Sequence, residues 1–129
     1  MKIYKIIRVE NRKRVSCFLN GAAKISYSTK KYVRAPYWLE KYGYYPTAFL
    51  RLKDAREFWT NDVSSIFGAG FELWEADGIG IKRKLPNRCD EIKAGGWSFL
   101  GTGLPWPPGT IMAEKIKLIR RIEKWRKKL

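Results

Sequence analysis

Residues Ile3 to Val9 read Ile-Tyr-Lys-Ile-Ile-Arg-Val; the polar cluster Glu10 to Arg14 follows, and Val15-Ser16-Cys17-Phe18-Leu19 restores the apolar character. Two runs of branched and aromatic residues around a polar turn predict a β-hairpin. Asn20-Gly21 is a strong turn dipeptide, and Ala23, Ile25 and Tyr27 alternate with polar neighbours as a third strand would. An antiparallel meander is therefore expected to open the fold. The stretch Ala35 to Pro46 is bounded by prolines and carries five aromatics, which reads as a loop with one helical turn.

Further along, Thr47 to Leu52 suits a short strand. From Asp54, a candidate helix cap, Ala55, Phe58, Trp59, Val63, Ile66 and Phe67 recur at helical spacing until Gly68 and Gly70 stop them. One central helix from about Lys53 to Phe67 is the expectation. Phe71 to Ala76 alternates as a strand that turns at Asp77-Gly78, with Ile79 and Ile81 pairing back against it. The segment Ala94 to Gly109 is too rich in Gly, Pro and Trp to form a regular helix.

The last nineteen residues, Ile111 to Leu129, carry eight Lys or Arg and two Glu, a local charge of +6. On a helical wheel Ile111, Met112, Leu118, Ile119, Ile122, Trp125 and Leu129 share one side, and Lys117, Arg120, Arg121, Lys124, Lys127 and Lys128 take the other. The segment is read as a basic amphipathic helix. A strand closing the sheet through Ile116, Leu118, Arg120 and Ile122 is the competing reading. The fold class that results is α+β: a mainly antiparallel sheet, one central helix and a basic C-terminal segment, in a single domain spanning residues 1–129.

Charge changes the picture more than any motif. Twenty-seven Lys and Arg against twelve Asp and Glu give a formal charge of +15, and the 129 residues include no His. A surplus of this size opposes compaction by self-repulsion, so an acidic partner is expected, nucleic acid first and an anionic membrane surface or acidic protein after it. The missing His removes the commonest general base and metal ligand together. Binding is favoured over catalysis, and neither a cofactor nor a metal is expected.

Other compositional features set bounds. Six Trp, seven Tyr and six Phe argue for an ordered core, which a chain of this length can build without disulfides. Cys17 and Cys89 stand far apart with no second thiol nearby. They read as small buried hydrophobes, with a single bridge as the alternative. No apolar run is long enough to span a bilayer, and Met1 to Lys5 lacks a signal-peptide core, so a soluble intracellular protein is expected. The lack of Gln beside many Lys, Arg and Glu is a thermophile bias.

Candidate chemistry follows from where the cations lie. Lys117, Arg120, Arg121, Lys124, Lys127 and Lys128 are placed to neutralise successive phosphates, with Arg12, Lys13 and Arg14 at the hairpin turn as a second contact. Tyr37 and Trp38, interleaved with Lys30, Lys31, Arg34 and Lys41, are candidate stacking groups for bases. A different class of function is a virion or assembly component whose Trp97 to Pro108 loop meets a protein partner; it requires Trp97 and Trp106 to be exposed.

Two resemblances add to this. Arg8, Ser26-Tyr27-Ser28 and Glu72 or Glu75 resemble the Arg, Ser-x-Ser, Glu layout of one class of ADP-ribosyltransferases, which implies a transferase whose Arg8, Ser26 and one glutamate meet in a cleft. The Tyr-Lys-Ile-Ile-Arg strand, the Leu-Lys-Asp-Ala-Arg-Glu-Phe helix start, the Glu-Leu-Trp-Glu strand and the Pro-Pro-Gly-Thr-Ile-Met-Ala segment resemble small uncharacterised proteins of archaeal viruses and phages. That likeness implies a virus-encoded accessory protein and assigns no residue a role.

Overall fold

The computed structural model describes residues 1–16, 19–20, 25–41, 43–60, 70–85, 98–99 and 106–124, the pairs 19–20 and 98–99 by their backbone alone. Strand β1 (Lys2–Glu10) turns into β2 (Lys13–Ser16), as the alternating apolar runs predict. The turn is two residues, Asn11 and Arg12, both left-handed with φ of 48° and 65°. A turn with two positive φ values matches the twist of the paired strands. Among the described residues β3 (Leu19–Asn20) pairs only with β6 (Ser98–Phe99), α1 (Tyr37–Glu40) is the helical turn of the proline-bounded loop, and β4 (Thr47–Phe49) precedes α2 (Leu52–Phe58). Two long strands complete the fold, β5 (Phe71–Lys82) and β7 (Thr110–Lys124).

The strands join as a ring. β1 pairs with β5, β5 with β7, β7 with β4 and β4 with β1, all antiparallel, so the sheet closes into a small barrel. β4 is too short to hold β1 and β7 together along their whole length. Beyond it β2 takes the free edge of β1, and residues 25–33 cross to β7: Ser26 bridges Val15, Val33 bridges Ile116, and Leu118 N–H donates to the Ser28 carbonyl at 2.9 Å.

Register fixes which side chains face inward, because neighbours along a strand alternate between faces. Ile3, Lys5 and Ile7 of β1 lie beside Ala76, Trp74 and Glu72 of β5 and form the inner row. All six are buried, and Lys5 and Glu72 are the two charged members. Ile6, Leu73 and Phe71 on the other face are buried as well. They belong to the same apolar cluster as Ala55 and Phe58 of α2, whose Phe58 ring stands 5.6 Å from that of Phe49. Gly109 is required where the chain enters β7: its φ is +81°, and a Cβ there would lie 2.3 Å from the Asp54 carboxylate.

Three expectations are corrected. The basic C-terminal segment is not a helix: Thr110–Lys124 is a strand, and residues 125–129 lie outside the described part. The helical reading arose from two bulges. Register steps from Leu118 to Arg120 and from Arg121 to Glu123, so Ile119 and Ile122 are extra residues that break the period of two and imitate a longer one. Pairing with β5 and with β4 decides the outcome, since it satisfies the backbone of a run rich in branched residues on both edges.

The central helix begins at Leu52, with Arg51 as the flanking residue and Asp54 inside its first turn, bonded to Arg51 at 2.9 Å rather than capping the end. The α-helix runs Leu52–Phe58, Trp59 and Thr60 carry it on in wider π-type turns, and residues 61–69 of its expected span lie outside the described part. Finally, β5 does not turn at Asp77-Gly78. Asp77 and Gly78 are paired with Lys117 and Ile116, and a Cβ on Gly78 would come within 2.7 Å of Ile3, so the glycine serves close packing. Cys17, Cys89 and Trp97 also lie outside the described residues.

Candidate functional site

One end of the barrel is formed by the β1–β2 turn, the start of β5 and the end of β7. Val9 pairs with Arg14, Ile7 with both Ser16 and Glu72, Glu72 with Lys124, and Trp74 with Arg121. These partners put Arg14, Glu72, Trp74 and Arg121 on the inner row. Their side chains meet there. Arg121 Nη1 donates to Glu72 Oε2 at 3.1 Å, Arg14 Nε to Glu72 Oε1 at 3.4 Å, and the Trp74 indole N–H to the same oxygen at 3.0 Å. The Arg14 guanidinium also lies 4.8 Å over the Trp74 ring.

Burial is uneven within this group. The Glu72 side chain is only 6% exposed, whereas those of Arg14 and Arg121 are 40% and 48% exposed. Burial pushes the Glu72 carboxyl upward, but the Trp74 and Arg121 hydrogen bonds and the charges of Arg14 and Arg121 outweigh it and hold it below its ordinary value. The group carries two positive charges and one negative at neutral pH. Arg12 and Lys13 on the adjoining turn are exposed, as is Lys124, so the end of the barrel is cationic.

Lys5 lies deeper along the same inner row. It is 3% exposed, donates to the Thr47 carbonyl and stands 4.8 Å over the Tyr27 ring. It holds β1 to β4, and the void it lines with Ile6, Thr47, Ala48, Phe49 and Thr110 takes only about 10 Å³, room for no more than a water.

The outer face of β5 and β7 has a second set of charges. Arg120 and Lys2 lie 3.5 and 3.6 Å from Glu75, and Asp77 accepts from the Met1 amino group at 2.8 Å and from the Tyr32 hydroxyl. Lys117 and Lys115 reach over the Tyr32 ring at 5.0 and 5.6 Å. The row of six cations expected on one helical face is therefore divided. Lys117 and Arg120 belong to this outer face, Arg121 and Lys124 to the barrel end, and Lys127 and Lys128 lie outside the described residues.

The remaining candidates also separate. Arg12, Lys13 and Arg14 stand at the turn as expected, and the structure brings Arg14 onto the same carboxylate as Arg121, which no local pattern indicated. Tyr37 is 83% exposed, while Trp38 is half-buried against the core. Trp106 of the expected contact loop is half-buried against the core, and Trp97 lies outside the described residues.

Of the transferase candidates, Arg8 and Ser26 both neighbour Val15, on the same face of the sheet, but neither glutamate joins them. Arg8 lies beside Phe71 and Val15, on the face of the sheet opposite Glu72, and pairs with Glu10 at 2.7 Å. Glu75 shares the face of Arg8 but stands four residues along β5 from Phe71, about 13 Å at the rise of a strand. Glu72 and Glu75 occupy opposite faces, as their spacing on a strand predicts.

Sequence reasoning missed Glu72 as the organiser of this end, and Trp74 with it. The available signal was the context of Glu72: a lone carboxylate among Phe71, Leu73 and Trp74 must find donors if that run is buried. Among the described residues no three acidic or thiol side chains gather as a metal site requires, and no helix is long and apolar enough to cross a membrane. No protein-family model matches the chain, and no curated protein or solved structure is significantly similar to it.

Proposed function

We propose that this is a non-enzymatic nucleic-acid-binding protein that engages backbone phosphates through the basic end of its barrel. The observation that carries the reading is the convergence of Arg14 and Arg121, from two basic stretches at opposite ends of the chain, on the single carboxylate of Glu72. Arg12, Lys13 and Lys124 extend the positive surface around them. Cations on rigid strands suit phosphate contact, because little side-chain freedom is left to lose on binding. The outer-face residues Lys115, Lys117 and Arg120 supply a weaker, second surface.

Binding of this kind is electrostatic and indifferent to sequence. Engaging about four phosphates makes log K fall with log salt at a slope of about −3.6. The test is binding of the purified protein to labelled single- and double-stranded DNA and RNA of mixed sequence between about 50 and 300 mM salt. Micromolar or tighter binding with that slope is expected. Arg12→Glu with Lys13→Glu should weaken it by more than about tenfold for all sequences alike. No binding at the lowest salt would refute the reading, and an acidic protein partner would replace it.

A further inference from the structure

We infer that Glu72 is a positioning residue that sets Arg14 and Arg121 as a two-arginine clamp for one backbone phosphate. The inference rests on the proposed function and goes beyond it, because it names the element that reads the phosphate and the residue that shapes it. On charge alone Glu72 should hinder an anionic ligand, since it cancels one of the two positive charges beside it. Its geometry argues the reverse.

Each arginine gives Glu72 only part of its donor set. Arg14 uses Nε and Arg121 uses Nη1, each on a different carboxylate oxygen. A guanidinium has five N–H donors in a planar fork, so both residues keep donors to spare, and both side chains are at least two-fifths exposed. The carboxylate is itself fixed by the Trp74 indole N–H at 3.0 Å, and the Arg14 plane is further held over the Trp74 ring. The two forks are therefore flanked, tethered at their inner side and open at their outer side. Without the tether, two like charges this close repel and swing apart into water.

An anion that bridges both outer sides meets donors already in place and gives up little orientational freedom in forming paired bonds. A phosphodiester presents two unesterified oxygens and suits such a pair of forks. Lysines at the same positions would supply the charge without the fork, as Lys115 and Lys117 do on the outer face.

The test compares wild type, Glu72→Gln and Arg121→Lys in binding a mixed-sequence duplex across the salt series, with circular dichroism and thermal melting to establish that each variant is folded. Glu72→Gln raises the net charge by one, so a simple charge model demands tighter binding and a steeper salt slope. The clamp demands the opposite: about fivefold or more weaker binding with a slope no steeper than wild type. Binding by folded Glu72→Gln that equals or exceeds wild type would overturn the clamp while leaving the proposed function standing.

Arg121→Lys keeps the charge and decides the matter if Glu72→Gln does not fold. It should weaken binding by about fivefold at unchanged slope, and unchanged affinity would overturn the inference. Wild-type protein that binds no nucleic acid at any salt would refute the clamp and the proposed function together, a result distinct from either variant outcome.

Discussion

The barrel end and the outer face of β5 and β7 are built from the same materials, a carboxylate on β5 facing cations from β7, yet they hold charge in different ways. Glu72 is nearly enclosed and accepts three hydrogen bonds from two arginines and an indole, all between 3.0 and 3.4 Å. Glu75 is 17% exposed and meets Lys2 and Arg120 at 3.6 and 3.5 Å. The difference is one of desolvation and geometry rather than of net charge. A buried, fully bonded carboxylate fixes its cations in position, whereas exposed pairs exchange partners with water and are screened by salt. Two patches of similar charge can therefore differ in how ready they are to receive a ligand.

The sharpest way to break this contrast is to delete each carboxylate in turn. Glu72→Ala removes the acceptor of a buried indole N–H and leaves two arginines side by side, and should cost about 3 kcal/mol in chemical denaturation. Glu75→Ala should cost less than about 1 kcal/mol in the same assay. Equal losses at the two positions would show that burial does not distinguish the sites. Acid sharpens the point. Because the folded Glu72 carboxyl titrates below its ordinary value, its ionised form adds stability above the unfolded pKa and loses that contribution as pH falls through the folded one. Stability measured from neutral pH down into the carboxylate range should fall less steeply in Glu72→Gln than in wild type, and parallel curves would count against the assignment.

The hairpin turn offers a smaller test in which stability and binding move in opposite directions. Arg12 adopts φ of 65°, a conformation that glycine takes without strain. Arg12→Gly should therefore stabilise the fold by about 0.5–1 kcal/mol while weakening nucleic-acid binding. If the barrel end leads binding, Lys115→Ser with Lys117→Ser on the outer face should change affinity by less than about threefold. A larger loss there than from Arg12→Gly would transfer the main interface to the outer face.

How much of this was legible depended on whether a pattern was local. The β1–β2 hairpin was readable because Ile3, Ile7 and Val15 alternate around a polar turn, and the two basic groups at Arg12 to Arg14 and Lys117 to Lys124 were readable as charge. The course of β7 was not. Bulges at Ile119 and Ile122 shift the phase, so a strand presents the periodicity of an amphipathic helix. The long β5 was hidden behind Asp77-Gly78, a turn dipeptide that here meets Tyr32 and Ile3 instead. The meeting of Arg14 with Arg121 was beyond any window of sequence, because it depends on closure of the ring through β1, β5 and β7.

The finest distinction between the two regions lies in Tyr32, whose hydroxyl donates to Asp77 on the outer face. That hydrogen bond first, then burial and the negative charge of Asp77, raise the phenol above its ordinary value of 10.0. A raised pKa means that the neutral phenol supports the fold below the unfolded value, and that this support is lost as pH rises through the folded one. Absorbance titration should show one tyrosine ionising above the ordinary range, and Asp77→Ala should return it toward that range. Because Tyr32 and Asp77 are half-exposed and share one hydrogen bond, the same substitution should lower denaturant stability by less than about 1 kcal/mol. A large loss would mean that the outer face is fixed as firmly as the barrel end, and the contrast between anchored arginines and solvated lysines would fail where its effect is smallest.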